Sequence, residues 1–266
     1  MESSLASTFF QKISCLVDPP TVLSKGKPVK RSQTPPPLVM IPGHLLTSEL
    51  WKQQEQHLRP HYPCILTEIP EAETIREMAS MILDQIPESF FLAGLSMGGM
   101  IALEILNIAS ERLLKLALLD TTAGPETMER SRQRTEFLED AERQGFQKTI
   151  EQRWIDLMLT EEGRKQEELP QAIMRMASKV GLERCRQQVR ALMARQDNRK
   201  ILASISCPTL VVCGEEDMLT PPEIHREMAE NIPNARLELI PGCGHLTPLE
   251  APERLNDLML EWLGKA

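Results

Sequence analysis

Short apolar runs alternate with amphipathic stretches along most of this chain. Leu38-Val39-Met40-Ile41 is four apolar residues in a row, closed by Pro42-Gly43-His44, and predicts a short buried strand. Ser48 is a good N-cap for a helix running to about His57, and Cys64-Ile65-Leu66-Thr67 predicts the next strand. From Thr74 to Ile86 the apolar positions are Ile75, Met78, Ala79, Ile82, Leu83 and Ile86, the spacing of one helix face, and Pro87 stops it. Phe90 to Ala93 reads as a strand. Met97 to Ile108 reads as a helix apolar on most sides, hence buried, and Lys115 to Leu119 as a strand ending at Asp120. This alternation with short turns predicts an α/β fold with a mostly parallel central sheet and helices on both faces.

The rhythm changes between Gly124 and Ser204. No strand pattern appears there; charged helical segments run over Thr127–Gln144, Phe146–Thr160, Leu169–Val180 and Leu182–Arg195. An all-helical block inside a βα series reads as an inserted cap over residues 124–204, interrupting an α/β core of residues 38–123 and 205–266. Met158, Met174, Met176 and Met193 are packing residues of this block, adaptable enough to line a pocket. The βα pattern resumes with the strand Thr209–Cys213, a helix from Pro221 to near Asn231, the strand Arg236–Ile240 and a last helix from Pro252 to about Leu263. Residues 1–37 form an N-terminal arm, in part without fixed structure. Leu5, Phe9, Ile13, Leu16 and Val17 share a helical face, so a docked helix or an irregular arm fits. Pro19-Pro20, the basic stretch Lys25–Arg31 and Pro35-Pro36-Pro37 then read as an extended, solvated linker.

Charge and cysteine content narrow the function. A net charge of −8 argues against nucleic acid and anionic membrane surfaces as partners. Six cysteines without a Cys-x-x-Cys pair read as reduced thiols of a cytoplasmic protein. No run approaches the ~18 apolar residues of a membrane span, and Glu2 without early basic residues reads against a secretory signal. No metal and no cofactor are expected. His57 and His61 are four apart, but Pro60 interrupts the helix and the pair reads as solvated. His225, in a charged helix, reads as a surface residue, Cys243 as an inert thiol, and Trp51 as either core or pocket mouth. Oligomeric state is left open.

The chemistry concentrates at Gly94-Leu95-Ser96-Met97-Gly98-Gly99. An apolar strand before it and a helix after it place Ser96 at the apex of a tight Gly-x-Ser-x-Gly turn, which pushes the hydroxyl out of the backbone. Serine needs a base, and the base needs a carboxylate to hold its tautomer and stabilise its cation. His245, after the last strand, and Asp217, after the strand before it, supply both from loops at the same sheet edge. Asp120 also ends a strand and is a rival acid. The backbone N–H of Met97, next to the nucleophile, is one expected oxyanion donor.

These residues in this order resemble the α/β-hydrolase superfamily, in its branch of small capped esterase, lactonase and C–C hydrolase-like proteins. The resemblance is carried by Gly94-Leu95-Ser96-Met97-Gly98-Gly99, by Gly214-Glu215-Glu216-Asp217 with Thr220-Pro221-Pro222, and by Gly242-Cys243-Gly244-His245 with Glu250-Ala251-Pro252-Glu253. It implies a second oxyanion donor from the loop after the first strand. The family carries His-Gly-x there and x donates; here the loop is Pro42-Gly43-His44, so the donor would be the His44 N–H and the family histidine is replaced by Pro42. The implied activity is cofactor-independent hydrolysis of a small or medium carboxylic ester or lactone through an acyl-enzyme, in a mainly apolar chamber beneath the cap. The same triad supports thioester cleavage, enol-lactone opening, C–C bond hydrolysis and peroxyacid formation. Other proteins of this fold bind a small molecule with little or no turnover, and a cyanohydrin lyase would need a polar cap residue that the sequence does not single out.

Overall fold

The computed structural model describes residues 35–264. The expectations for the arm before residue 35, and Cys15 with them, fall outside the described residues.

Six strands form one sheet: β1 (Leu38–Ile41), β2 (Cys64–Leu66), β3 (Phe90–Leu95), β4 (Leu113–Leu119), β5 (Thr209–Gly214) and β6 (Arg236–Ile240). Their order is β2-β1-β3-β4-β5-β6 and every neighbouring pair is parallel. The helices in chain order are α1 (Lys52–Leu58), α2 (Ile75–Leu83), α3 (Met97–Ala109), α4 (Met128–Gln144), α5 (Phe146–Thr149), α6 (Ile155–Met158), α7 (Glu161–Lys165), α8 (Glu168–Met193), α9 (Pro222–Asn231), α10 (Thr247–Glu250) and α11 (Pro252–Leu263). From β1 the chain steps outward to β2, then crosses back to place β3 on the other side of β1. The strand order therefore reverses between β1 and β3, and the loops leaving these two strands face each other across a crevice. The register fixes which residues meet there: Ile41 is level with Gly94, Leu95 with Leu119, Leu119 with Val212, and Gly214 with Ile240.

The strands are apolar on both faces because both faces are covered. Leu38, Met40, Phe91, Ala93, Leu95, Ala117, Leu119, Leu210 and Val212 join one buried cluster. Val39, Ile41, Phe90, Leu92, Leu116, Leu118 and Val211 join the cluster on the opposite face. This is the period-two alternation of a pleated strand with two apolar environments in place of one. In α3 only Asn107 and Ile108 escape burial, as its nearly all-round apolar sequence predicts. Trp51 is fully buried in the first cluster, which decides for core over pocket mouth.

Local chemistry sets the helix ends. Thr74 Oγ1 accepts the Glu77 N–H at 3.1 Å and Thr127 Oγ1 accepts the Arg130 N–H at 3.1 Å, so both act as N-caps. At the first helix the cap is Thr47 and not Ser48: a 3-10 turn over Ser48–Trp51 precedes α1, and the Ser48 hydroxyl is drawn instead to Glu68 Oε1 at 2.6 Å. The segment between β4 and β5 holds helices joined by turns and no strand, as its lack of strand pattern predicts. Gly145 (φ 100°) separates α4 from α5, a π-turn over Ile150–Trp154 joins α5 to α6, and Gly181 (φ 75°) kinks α8 between the two predicted helices. The short elements α7, α10 and the 3-10 turn Arg199–Ser204 have too few residues to show a period, and the sequence pattern does not reveal them.

His225 overturns the surface expectation, being fully buried on α9. Its Nε2 accepts the Thr121 N–H at 2.9 Å and its Nδ1 faces the Pro221 carbonyl oxygen at 3.3 Å, so the ring is neutral with its proton on Nδ1. Burial disfavours its cation and lowers its pKa from 6.5 to about 4. The unfolded chain takes up a proton there below about pH 6.5 that the folded chain refuses, so stability is full above that pH and falls as the pH drops toward 4. The loss from this one site is expected to reach about 3 kcal/mol. Thermal melts from pH 7 to pH 4 on the wild type and His225→Gln, whose amide oxygen can still accept the Thr121 N–H, should show a flatter acid limb for the variant.

Candidate active site

Ser96 sits where β3 turns into α3 with φ 55° and ψ −116°, a conformation that costs a non-glycine residue energy and is retained where the surroundings enforce it. The surroundings are backbone. A Cβ on Gly94 would lie 2.3 Å from the Gly98 carbonyl oxygen, and one on Gly98 would lie 2.3 Å from the Ile41 carbonyl oxygen. Strand, turn, helix and β1 are therefore in backbone contact, which only glycine permits. The Thr121 hydroxyl donates to the Ser96 carbonyl oxygen at 2.6 Å, and the Ser96 N–H donates to Leu119 O at 2.9 Å, pinning the turn.

The three residues singled out in the sequence meet here. His245 Nε2 lies 2.9 Å from Ser96 Oγ, and His245 Nδ1 lies 2.8 Å from Asp217 Oδ2. Asp217 also accepts the Leu219 N–H at 2.8 Å, the Thr220 N–H at 3.0 Å and the Thr220 hydroxyl at 2.7 Å. Burial raises the Asp217 pKa, but the His245 ring, by charge and hydrogen bond, and the Thr220 donors outweigh it and hold the carboxyl below its usual range. Burial of His245 works against its cation; the Asp217 carboxylate more than offsets this and raises the ring above 6.5.

Asp120, the rival acid, is fully buried beside this pair and makes no hydrogen bond to the His245 ring. Its oxygens take the Gly214 N–H at 3.1 Å and the Thr247 hydroxyl at 2.6 Å. Burial first, and then the Asp217 charge, push its pKa up to about 8. The two carboxyls thus hold one negative charge between them, and the imidazole draws it onto Asp217. Asp120, Asp217 and Cys213 bring one donor atom each within 4.8 Å of one another. The carboxyl oxygens are already taken by protein N–H and O–H donors, and burial drives the Cys213 thiol away from ionisation, so the group does not fit a resident cation.

The loop after β1 delivers His44 to the same crevice, with Leu45 at φ 60° behind it. Among the described residues neither the His44 N–H nor the Met97 N–H has a protein acceptor. Gln188 of α8 reaches down to this loop. Its Oε1 accepts the Leu45 N–H at 3.0 Å and faces His44 Nδ1 at 2.8 Å. An oxygen there requires the imidazole proton on Nδ1, which leaves His44 Nε2 a bare acceptor. Burial first, then the nearby Arg134 charge, lower the His44 pKa to about 3, so the ring stays neutral. Trp154 meets it edge-on at 5.2 Å.

The histidine loop is fastened to the helical segment. The His245 N–H donates to Met158 O at 3.1 Å. Glu250 takes the Thr160 N–H and hydroxyl on Oε1 at 2.8 and 2.7 Å and the Gly244 N–H on Oε2 at 2.9 Å. Above Ser96 and His245 opens a cavity of about 1040 Å³ between these helices and the sheet edge. Phe137, Trp154, Val189, Leu192 and Leu219 give it the expected apolar wall, but arginines stand in that wall too, which composition did not indicate. The predicted Met158 and Met176 pack in the core, and Met193 is exposed; the methionines at the cavity are Met100, Met218 and Met228. Cys243 is buried with its thiol pushed well up, so it is inert as expected, and His57 and His61 are exposed. The five cysteines among the described residues are free thiols. Sequence reasoning missed Gln188, although it interrupts the apolar stripe Cys185, Val189, Leu192, a polar residue on a face that must be buried.

Fold and site together define a parallel α/β protein with a serine, a histidine and an aspartate joined at the switch edge of its sheet. The chain matches the α/β hydrolase fold family over residues 36–252 and belongs to it. It is 27% identical to a pimeloyl-[acyl-carrier protein] methyl ester esterase of Nitrosomonas europaea over 243 residues, 82% of this chain and 92% of that one. A thermophilic esterase from Thermogutta terrifontis superimposes with a TM-score of 0.79 at 31% identity, covering 87% of this chain and 90% of the other. An enol-lactonase from Burkholderia xenovorans shares the fold, with a TM-score of 0.77 at 19% identity over 88% of this chain and 93% of that one. Among the described residues no helix is long and apolar enough to cross a membrane.

Glu250→Ala leaves the Gly244 and Thr160 N–H groups without their acceptor. It is expected to cost about 1–3 kcal/mol of stability and to lower kcat as the histidine loop loosens. Thermal melts and steady-state kinetics on one preparation check both effects.

Proposed function

We propose that this protein is a serine hydrolase that cleaves a small or medium carboxylic ester or lactone through an acyl-enzyme. The observation that carries the reading is the chain of contacts from Ser96 Oγ through His245 to Asp217, at 2.9 and 2.8 Å, opening into a cavity. Ser96 attacks the carbonyl carbon while His245 Nε2 takes its proton. Asp217 holds the proton on Nδ1 and stabilises the imidazolium. The Met97 and His44 N–H groups receive the negative oxygen, each worth roughly 3–4 kcal/mol of transition-state stabilisation. His245 then protonates the leaving alcohol, activates water, and the reverse sequence frees the acid. Residues 124–204 act as the cap through which substrate enters, and residues 38–123 with 205–266 as the core. The free thiols support a reducing, cytoplasmic setting.

The ester bond is preferred over thioester and C–C bonds because the Nitrosomonas europaea relative and the 31% identical structure, each matched over more than four-fifths of this chain, are named esterases. Labelling with a fluorophosphonate, followed by turnover of an ester, thioester and lactone series, tests the class. Ser96→Ala should abolish labelling and lower kcat by a factor on the order of 10³ or more, with the circular dichroism spectrum unchanged; wild-type turnover by that variant would sink the mechanism.

The acid and pH behaviour follow from the charge distribution. Asp217→Asn should lower kcat by a factor on the order of 10²–10⁴, since the amide favours the wrong imidazole tautomer. Asp120→Asn replaces a carboxyl that is already largely protonated at neutral pH and should cost less than about tenfold. The active form of His245 is neutral, so kcat/KM should rise with pH through a midpoint above 6.5, and Asp217→Asn should move that midpoint down. Both variants measured across pH 5 to 9 decide it.

A further inference from the structure

We propose that the cavity contains an anion subsite formed by Arg130 and Arg134, so that the preferred substrate is an ester bearing a second, negatively charged group such as a carboxylate or phosphate. The inference rests on the hydrolase reading above and adds the substrate class.

Arg130, Arg134 and Phe137 fall at i, i+4 and i+7 on α4, and all three line the cavity that holds Ser96 and His245. A helix face turned into a pocket is ordinarily apolar, because taking a guanidinium out of water costs free energy. Here two guanidiniums stand on it. Arg195, from the turn after α8, joins them at the same wall. One carboxylate is ion-paired to two of them: Glu126 Oε2 accepts from Arg134 Nε at 2.8 Å and from Arg195 Nη1 at 2.7 Å. Among the described residues Arg130 has no ion pair; one of its terminal nitrogens donates to the Leu219 carbonyl oxygen. Burial lowers the pKa of both Arg130 and Arg195, and the arginines repel one another. Three cations against the Glu126 and Asp217 carboxylates leave a local charge of +1 inside a protein whose net charge is −8.

The other arginines at this cavity lack that excess. Arg153 is paired with Asp140, Arg164 with Asp156, and Arg199 with Asp197. Arg130 and Arg134 also differ in position. Arg130 is bonded to Leu219, two residues from Asp217, and its charge is felt at His245. The Arg134 charge is felt at His44. The pair therefore spans the crevice from the acid loop to the oxyanion loop, and Arg134 presents its two terminal nitrogens free of protein acceptors among the described residues. A planar fork of N–H donors matches the two oxygens of a carboxylate or phosphate. A clamp holding α4 to the acid loop would need one guanidinium and a carbonyl; it would not need a second cation with unused donors beside it.

The test compares three ethyl esters of equal chain length: monoethyl adipate, its neutral isostere ethyl 5-carbamoylpentanoate, and ethyl 5-phosphonopentanoate, followed by pH-stat. The wild type is expected to favour an anionic ester over the amide by at least tenfold in kcat/KM, and whichever anion is preferred identifies the group. Arg130→Met and Arg134→Met should each reduce that ratio at least fivefold, mainly through KM. A merely structural arginine would lower turnover of charged and neutral esters alike and leave the ratio unmoved, which overturns the subsite. Equal use of both anionic esters and the amide by the wild type overturns it as well, whether or not a variant folds, while leaving the hydrolase reading intact. Turnover of none of the three, together with no fluorophosphonate label on Ser96, overturns both.

Discussion

Backbone contact at the elbow is the constraint on which the rest of this molecule depends. Gly94, Gly98 and the end of β1 approach so closely that a single Cβ would come within 2.3 Å of a carbonyl oxygen. That approach holds Ser96 in a positive-φ conformation it would not choose alone. It brings the loop after β1 alongside the serine, so that the proposed oxyanion donors lie next to the nucleophile. It also forces α3 into the interior, and an interior helix must be apolar on nearly every side. The same device recurs across the sheet edge, where a Cβ on Gly214 would lie 2.1 Å from Gly244 O, seating the acid loop against the histidine loop.

Electrostatic order is imposed on this frame by burial. Four ionisable groups besides His245 are buried around the site, and the fold allows them few charges. His44 and His225 are held neutral with their tautomers set by Gln188 and by Thr121 with Pro221. Asp120 holds its proton near neutral pH, while Asp217 carries the negative charge because it alone touches the imidazole. One negative charge, one base and one nucleophile are what acyl transfer requires. The rest of the polar interior serves to keep the count there.

The helical segment is tied to the core at the same loops that form the site. Gln188 grips the loop after β1, Glu250 joins the loop of His245 to Thr160, and Arg130 holds the loop of Asp217 at Leu219. Displacement of these helices would therefore disturb the geometry of the site as well as access to it. This coupling gives a physical reason for Gln188 and Arg130 on the helices between β4 and β5: each satisfies a backbone group of a loop that has no strand or helix partner of its own.

The sequence by itself determined the strand and helix series, the all-helical insertion with its break at Gly181, and the elbow, acid and histidine loops. These are local: a period of two or 3.6, a glycine at a turn, a residue at a strand exit, each readable within a dozen positions. Asp217 stands in a loop pattern that carries the family resemblance, and Asp120 does not. The tertiary structure decided what depends on long-range neighbours. Nothing near His225 in the chain tells that it is buried, since Thr121 comes from another strand's exit. Asp120 and Asp217 look equally acidic in sequence, and only their closeness when buried gives one the proton and the other the charge. The arginines of α4 read as ordinary surface charges on a charged helix. That two of them line the cavity, one without an ion pair among the described residues, is a fact of packing, because a one-dimensional pattern records the polarity of a helix face and not what is set against it.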